Sequence, residues 1–252
     1  MKKFLVDIIL PVYNSEDFIL KTIGSILNQK FKNWRLMIVD DDSSDNSYDV
    51  IKNNYYSFIK KKKIFLYQNS RNRGQAYSRN FLLKKTNAKY IAFIDSDDMW
   101  KKNKLSQQIN FMQKNKYDFT FTDYRVLSKN KKINIIKAPN FIDYNIFVRN
   151  TCIATSTIIL TRKAVGKLTF PNVRLCEDYL FKCNLLKKFS AFNLSKANTY
   201  YRIRKNSLQS YRFRVLCAVW KINKHFNSMK LFQNLLSLFF IYLNSLKKYG
   251  LR

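Results

Sequence analysis

Residues 90–100 read YIAFIDSDDMW. A short apolar run, Tyr90 to Ile94, has the length and composition of a buried strand. It ends in three carboxylates within four positions, Asp95, Asp97 and Asp98, in a chain whose formal net charge is +31. A second apolar run, residues 36–39, ends the same way in Asp40-Asp41-Asp42. These two clusters hold six of the 16 acidic residues, which is not the pattern of a solvated charge run.

Working outward from residues 90–100, strand and helix patterns alternate. Residues 6–10 form an apolar run closed by Pro11, a first strand. Ser15, followed by Glu16 and Asp17, reads as an N-cap with first-turn acids. Ile19, Leu20, Ile23, Ile26 and Leu27 then recur at helical spacing. Residues 36–39 give a second strand, and Asp45 or Ser47 is placed to cap a helix carrying Val50, Ile51 and Tyr55. Residues 64–67 make a third strand, 74–85 a third helix and 90–94 a fourth strand. This order predicts an α/β fold: a Rossmann-like, mostly parallel sheet flanked by helices. Beyond it come a helix over 101–115, a strand at 119–122 and a hairpin over 125–137 centred on Lys129 and Asn130. A strand at 156–161 and a short helix from Glu177 follow. Without internal repeats or a Gly/Ser/Pro-rich linker, one domain to residue 210 is the simplest reading. Residues 1–100 form its first half and 101–210 its second, with a helical tail over 211–252.

A chain of 252 residues with 46% hydrophobic residues can bury a sizeable core, which argues against disorder. Lys, Asn, Ile, Phe and Tyr are abundant throughout, so part of the basic charge is compositional bias. The remainder implies attraction to an anionic partner. Cys152, Cys176, Cys183 and Cys217 form no C-x-x-C pair, and with a single His they make no zinc site. A reduced, cytoplasmic chain fits. Asp7 interrupts the N-terminal apolar run, so this segment reads as a strand and not a signal peptide. No uninterrupted apolar stretch is long enough to span a bilayer.

In an open α/β sheet, ligands bind outside the carboxyl ends of the strands. Pro11-Val12-Tyr13-Asn14, Asp40-Asp41-Asp42 and Asp95-Ser96-Asp97-Asp98 all collect there. Clustered carboxylates raise one another's pKa unless a cation or donors balance them. Mg²⁺ or Mn²⁺ does this with oxygen ligands, using one or two carboxylates together with phosphates and waters. The alternative for each Asp is a turn former or helix cap.

Five stretches resemble the family 2 glycosyltransferases with the GT-A fold. They are DIILPVYNSEDFILKTIGSILNQ, IVDDDSSDNS, NRGQAYSRN, AKYIAFIDSDDMW and LCEDYLFKCNLL, and they span residues 6–190 in the family's order. The resemblance implies a metal-dependent, inverting hexosyl or N-acetylhexosaminyl transferase. Its donor would be a nucleoside-diphosphate sugar, with UDP the commonest nucleotide. Its acceptor would be a glycan or lipid-linked molecule of cell-surface polysaccharide synthesis. Pro11 and Tyr13 match the segment lining the base, and Asp41 or Asp40 the carboxylate that reads it. Arg79 matches a basic residue near the diphosphate or sugar, with Ser96 beside it. Asp95 and Asp97 match the D-x-D metal motif, and Asp178 of the Glu177-Asp178 pair matches the general base. Asp98, Trp100, Glu177 and Arg204 are candidates for acceptor or phosphate contacts. A helix N-terminus complemented by acids is the competing reading of Glu177-Asp178.

The chain departs from the family pattern in places. Asp42 stands where Gly is frequent, Ala88 replaces another frequent Gly, and Arg204 stands where relatives often carry His. Arg cannot ligate a metal but can pair with phosphate. Residues 150–157 are small and polar, either pocket lining or an ordinary lead-in to a strand. His225 reads as a surface or packing residue.

The tail mixes Arg214, Lys221, Lys224 and Lys230 with Trp220, Leu231, Phe232, Leu235, Phe239 and Phe240. This pattern suits an interfacial helix on an anionic leaflet, placing the protein at the cytoplasmic face of the membrane. Packing on the catalytic domain, or oligomerisation through the tail, is the alternative. No nucleic-acid-binding motif is visible, so no nucleic acid partner is expected. A basic nucleic-acid protein would leave the Asp clusters unexplained, and a non-catalytic scaffold of the same fold would leave D-S-D-D and E-D without a role.

Overall fold

The computed structural model describes residues 4–127, 134–203 and 212–249. The hairpin centre at Lys129 and Asn130 lies outside them, as does Arg204. The strands are β1 Val6–Val12, β2 Trp34–Asp40, β3 Ile64–Gln68, β4 Tyr90–Phe93, β5 Met99–Trp100, β6 Phe119–Phe121, β7 Tyr124–Leu127, β8 Asn134–Ile136, β9 Phe141–Ile142, β10 Ile159–Thr161, β11 Ala191–Asn193 and β12 Thr199–Arg202. The helices are α1 Glu16–Leu27, α2 Ser47–Asn54, α3 Tyr56–Lys60, α4 Gln75–Lys85, α5 Lys104–Asn115, α6 Tyr144–Phe147, α7 Arg162–Val165, α8 Glu177–Leu186, α9 Arg212–His225 and α10 Leu231–Tyr249.

The main sheet has eight strands in the order β3-β2-β1-β4-β10-β6-β11-β9. β1 to β4 are mutually parallel where they pair. β1 and β2 are buried along their whole length, which is why they read as largely apolar runs, broken by the paired Asp7 and Arg35. Alternate residues serve opposite faces. Ile9, Met37, Val39, Ile91 and Phe93 pack with Leu82 and Leu83 of α4 and Leu180 of α8. Ile8, Leu10, Leu36 and Ile38 pack with Ile19, Ile23 and Ile26 of α1 and Leu105 and Ile109 of α5. Each such fully buried aliphatic side chain contributes about 1.5–3 kcal/mol, and truncating Ile9 to Ala costs about 2–5 kcal/mol through the cavity it leaves.

The second half departs from the expected parallel order. β10 runs antiparallel to both β4 and β6, and β9 antiparallel to β11, so the sheet is mixed. Residues 155–157 form a 3₁₀ turn, and the predicted strand over 156–161 shortens to β10. A second sheet, β5-β12-β7-β8, was not foreseen, although its antiparallel β7–β8 pair is the predicted hairpin. Asn46, between the two predicted caps, is the N-cap of α2, and Asp45 Oδ1 accepts from Ser47 N.

Two local features fix the ends of β1. Ile94 N donates to Ile9 O, so odd-numbered residues of β1 face β4. The last β1–β4 pair is Ile9↔Phe93, so the N–H missing from Pro11 falls where β4 has ended. At the other end, Asp7 is fully buried and paired at 2.6 Å with Arg35, its neighbour in register on β2. Asn87 N and Ala88 N also donate to Asp7, so the polar break in the first apolar run is a structural ion pair remote from the site.

The tail is not a detached appendage. Val219, Ile222 and Ile241 join the core that holds α4 and α8. Ser237 Oγ donates to Val148 O at 2.6 Å, and Asn244 Nδ2 to Arg149 O at 3.1 Å. The opposite side remains open, with Phe213 80%, Leu231 67% and Phe232 75% exposed. Packing on the catalytic domain is therefore what one side of the tail does. Among the described residues, no helix is long and apolar enough to cross a membrane.

Candidate active site

The predicted clusters converge where β1, β2 and β4 end. The site is organised by Arg79 of α4, a residue only 2% exposed. Its Nη2 donates to Asp95 Oδ1 at 2.7 Å, and its Nη1 to Glu177 Oε1 at 2.9 Å. One guanidinium thus ties the D-S-D-D turn to the start of α8, with Arg79 and Glu177 98 residues apart in sequence. Burial opposes its charge, but Asp95, Glu177 and Asp178 together hold its pKa above the ordinary value. Arg79, expected near the diphosphate or sugar, has both arms of its fork on carboxylates.

Residues 155 and 156 complete the bridge. Asp95 N donates to Ser156 Oγ at 3.0 Å, and Thr155 Oγ1 donates to Asp178 Oδ2 at 3.1 Å. Lys182 Nζ lies 2.7 Å from the same Asp178 oxygen. Burial raises the pKa of Asp178, but Lys182, Arg79 and Thr155 outweigh it and bring it down to about 2. Glu177 moves the other way: burial and the Asp178 charge raise its pKa, and Arg79 offsets them only in part. The two adjacent carboxylates are therefore differentiated, Asp178 held ionised and Glu177 held by Arg79. Cys176, the residue before them, has a left-handed backbone with φ 61°. That conformation costs an L-residue about 1–2 kcal/mol, strain placed at the mouth of the site.

Other predicted residues are engaged differently. Pro11 is buried within β1, while Tyr13 stands out at 46% exposure. Asp40 is fully buried and accepts from the backbone and hydroxyl of Ser43. Asp41, 3% exposed, accepts from Asn69 Nδ2, Arg73 N and Gly74 N. It organises the 69–74 loop and has little surface left for a base. Gly74 caps α4 with φ +85°, a conformation L side chains rarely adopt. Asp42 is exposed with φ 60°, which explains why Gly suits that position and why Asp, tolerant of the left-handed region, replaces it.

Ser96 Oγ shares a 2.6 Å bond with Ser15 Oγ, fastening the turn to the start of α1. Ser15 is the N-cap residue of α1, as predicted, but its side chain makes no cap bond. Two candidates for acceptor or phosphate contacts, Asp98 and Trp100, are buried. Asp98 is fully buried and accepts from Arg202 N at 2.8 Å, closing the turn onto β12. Burial, then the charges of Asp97 and Asp95, raise its pKa well above the carboxylate range. Trp100 is 4% exposed, donates from Nε1 to Ser156 O, and carries the Lys104 ammonium 3.9 Å above its ring. Both are packing residues of the turn.

Asp97 is half-buried, and Asp95 keeps one oxygen outside the Arg79 pair. Two carboxylates suit Mg²⁺ or Mn²⁺ when phosphates and waters complete the shell. No cluster of three potential metal-ligating side chains occurs among the described residues, so a cage built by protein alone is not present there. Sequence reasoning missed Arg73, whose guanidinium stacks 3.7 Å from the Tyr77 ring centroid, and the buried Lys182. Arg73 and Tyr77 line a cleft of about 390 Å³ with Arg71, Asn80 and Asn172, beside the Asp41 loop; Lys182 lies elsewhere, on α8. The run N-S-R-N-R-G, residues 69–74, held the cationic signal.

A half-parallel sheet with these carboxylates at its strand ends defines a glycosyltransferase of the GT-A type. The chain belongs to glycosyltransferase family 2: the family described as "Glycosyl transferase family 2" matches residues 7–167. It is 34% identical over 223 residues to the putative teichuronic acid biosynthesis glycosyltransferase TuaG of Bacillus subtilis (strain 168), covering 86% of each chain. It is 36% identical over 225 residues to UDP-Glc:alpha-D-GlcNAc-diphosphoundecaprenol beta-1,3-glucosyltransferase WfgD of Escherichia coli, covering 88% of this chain and 86% of that one. The fold matches S. aureus TarS 1-349 in complex with UDP-GlcNAc, with TM-score 0.69 at 18% identity over 96% of this chain and 72% of that one. It also matches the mannosyltransferase PcManGT from Pyrobaculum calidifontis in complex with GDP-Man and Mn²⁺, with TM-score 0.70 at 15% identity over 99% and 71%.

Proposed function

We propose that this glycosyltransferase moves a hexosyl or N-acetylhexosaminyl group from a UDP-sugar to a lipid-linked acceptor in cell-surface polysaccharide synthesis, with inversion. The observation that carries the proposal is the Asp95–Arg79–Glu177 bridge, which sets the D-x-D turn beside the ionised Asp178. The names of the curated relatives support the substrate classes, since two Escherichia coli relatives are UDP-Glc transferases acting on a GlcNAc-diphosphoundecaprenol.

Tyr13 offers an exposed aromatic surface for the nucleotide base, and Arg71 and Arg73 add cationic surface in the cleft beside the Asp41 loop. Asp97 and the second oxygen of Asp95 would hold Mg²⁺ or Mn²⁺, which when bound supplies Lewis-acid stabilisation of the leaving diphosphate. The acceptor hydroxyl attacks the anomeric carbon as the bond from that carbon to the diphosphate oxygen breaks. Its proton passes to Asp178, a transfer typically worth about 10²–10⁴-fold in rate. UDP leaves with the electron pair of the broken bond.

The open side of α9 and α10, with Phe213, Leu231, Phe232 and Phe239 exposed beside Lys224 and Lys230, suits the surface of an anionic leaflet. This would hold the enzyme at the cytoplasmic face, where a lipid-linked acceptor is within reach. The test is titration of a UDP-sugar panel with and without Mn²⁺ or Mg²⁺, following binding and transfer. Metal-dependent binding that disappears in Asp97→Ala supports the reading. Binding of oligonucleotides without any nucleotide sugar would overturn it.

A further inference from the structure

Lys182 is placed one turn after Asp178 on α8, between Phe181 and Cys183, which are 1% and 0% exposed. Lys182 itself is 5% exposed. A buried ammonium is costly unless it is paired and hydrogen-bonded. Here Nζ meets Asp178 Oδ2 at 2.7 Å, Ile153 O at 3.0 Å and Thr155 Oγ1 at 3.5 Å. Thr155 donates to that same Oδ2. Both holds on the carboxylate fall on one oxygen, and Asp178 Oδ1 takes no hydrogen bond among the described residues. The side chain of Asp178 is 24% exposed against 6% for that of Lys182, so the open end of the pair is the carboxylate.

We propose that Lys182 is a positioning residue for proton transfer, pinning Asp178 Oδ2 to the 153–155 backbone so that Oδ1 faces the acceptor hydroxyl. This rests on reading Asp178 as the base. The other charged and titratable groups around the pair include Arg79 of α4, Glu177 and Cys176 at the start of α8, Cys183 within it, Cys152 beside Ile153, and Lys248 of α10. A carboxylate held ionised so firmly is a weak base towards an ordinary alcohol. It takes the proton only as the new C–O bond forms and the attacking oxygen becomes strongly acidic. The O–H bond breaks, the Oδ1–H bond forms, and the charge of Asp178 is neutralised beside Lys182. Pinning Oδ2 also connects the base to residues 153–155, next to Ser156, which holds the D-x-D turn.

The experiment compares wild type, Lys182→Met, Lys182→Arg and Asp178→Asn as full chains with intact melting transitions. In protein labelled with ¹³C at aspartate carboxyls, the resonance lost in Asp178→Asn identifies Asp178 without any substrate. Its titration is expected to rise by about one pH unit or more in Lys182→Met and to stay near wild type in Lys182→Arg. With the UDP-sugar and acceptor that wild type turns over, Lys182→Met should lower kcat about tenfold at unchanged donor KM, and Lys182→Arg should restore most of it. Should Lys182→Met not fold, Thr155→Val removes the second hold on Oδ2 and should lower kcat about fivefold at unchanged donor KM. A folded Lys182→Met with wild-type titration and kcat overturns the proposal, as does an unaffected Thr155→Val if that variant carries the test. Transfer retained in Asp178→Asn instead overturns the base assignment itself, and the proposal with it.

Discussion

The two halves of the main sheet are built on different plans. From β3 to β4 the strands are parallel and four to seven residues long, and β2, β1 and β4 are buried throughout while the edge strand β3 is only partly so. From β10 to β9 they run in mixed directions and are only two or three residues long. The first half is held by continuous apolar burial. The second is held by side-chain bonds between distant segments, such as Asn193 Nδ2 to Asp123 Oδ1 and Gln108 Nε2 to Thr157 O. In the proposed function, the regular half would present a fixed set of strand ends to the donor. The irregular half would carry the base and the loops that shape the acceptor site, where change costs less regular backbone pairing.

The contrast can be broken at both sites. Asp97→Ala, in the donor half, should remove metal-dependent donor binding and lower transfer about a thousandfold or more, read by calorimetry and by turnover. Asp178→Asn, in the acceptor half, should keep donor affinity while transfer falls about 10²–10⁴-fold. Equal loss of donor binding in both would erase the division of labour. Asp7→Ala, far from either site, should cost about 3–5 kcal/mol in denaturant unfolding by stranding Arg35 in the regular half.

Lys248 sharpens the comparison through pH. Burial, with Lys182 adding to it, brings its pKa down to about 8. The unfolded chain therefore binds more protons than the folded one between about pH 8 and 10.5, and stability contributed at this position rises with pH across that window. The difference in unfolding free energy between wild type and Lys248→Met should shift by about 1–3 kcal/mol in favour of wild type from pH 8 to 10. A flat difference would show the ammonium to be well solvated. The smallest effect belongs to the open side of the tail: Phe232→Ser should weaken sedimentation with anionic vesicles about five- to tenfold and leave the melting temperature unchanged.

The same division governs what could be read from residues alone. Residues 36–39 and 90–94 are uninterrupted apolar runs, and 6–10 is broken only by Asp7, because these strands are covered on both faces, and such runs are visible locally. The Asp clusters were legible because they follow those runs. β5 has two residues, and β12 finds its partners at Trp100 and Tyr124, so no local pattern announces the second sheet. Asp41 and Asp98 were recognisable as part of the cluster but not as buried, because their donors come from residues 69–74 and 202. Lys182 carried no signal: within the helix it looked like one more cation in a basic chain, and only the approach of residues 153–155 gives it a role.

Tyr179, the residue after Asp178, donates its hydroxyl to Asn223 Oδ1 at 2.8 Å, and Asn223 Nδ2 reaches Asn234 Oδ1 and Ser237 Oγ. This buried amide seam makes the two sides of α9 and α10 unequal as material for evolutionary drift. Substitutions on the outward side can retune affinity for a surface one residue at a time. A change at Asn223, Asn234 or Ser237 leaves a polar group stranded next to the catalytic helix, so the inner seam is free to vary only in matched sets. Engineering that swaps tails between relatives should carry residues 179, 223, 234 and 237 together.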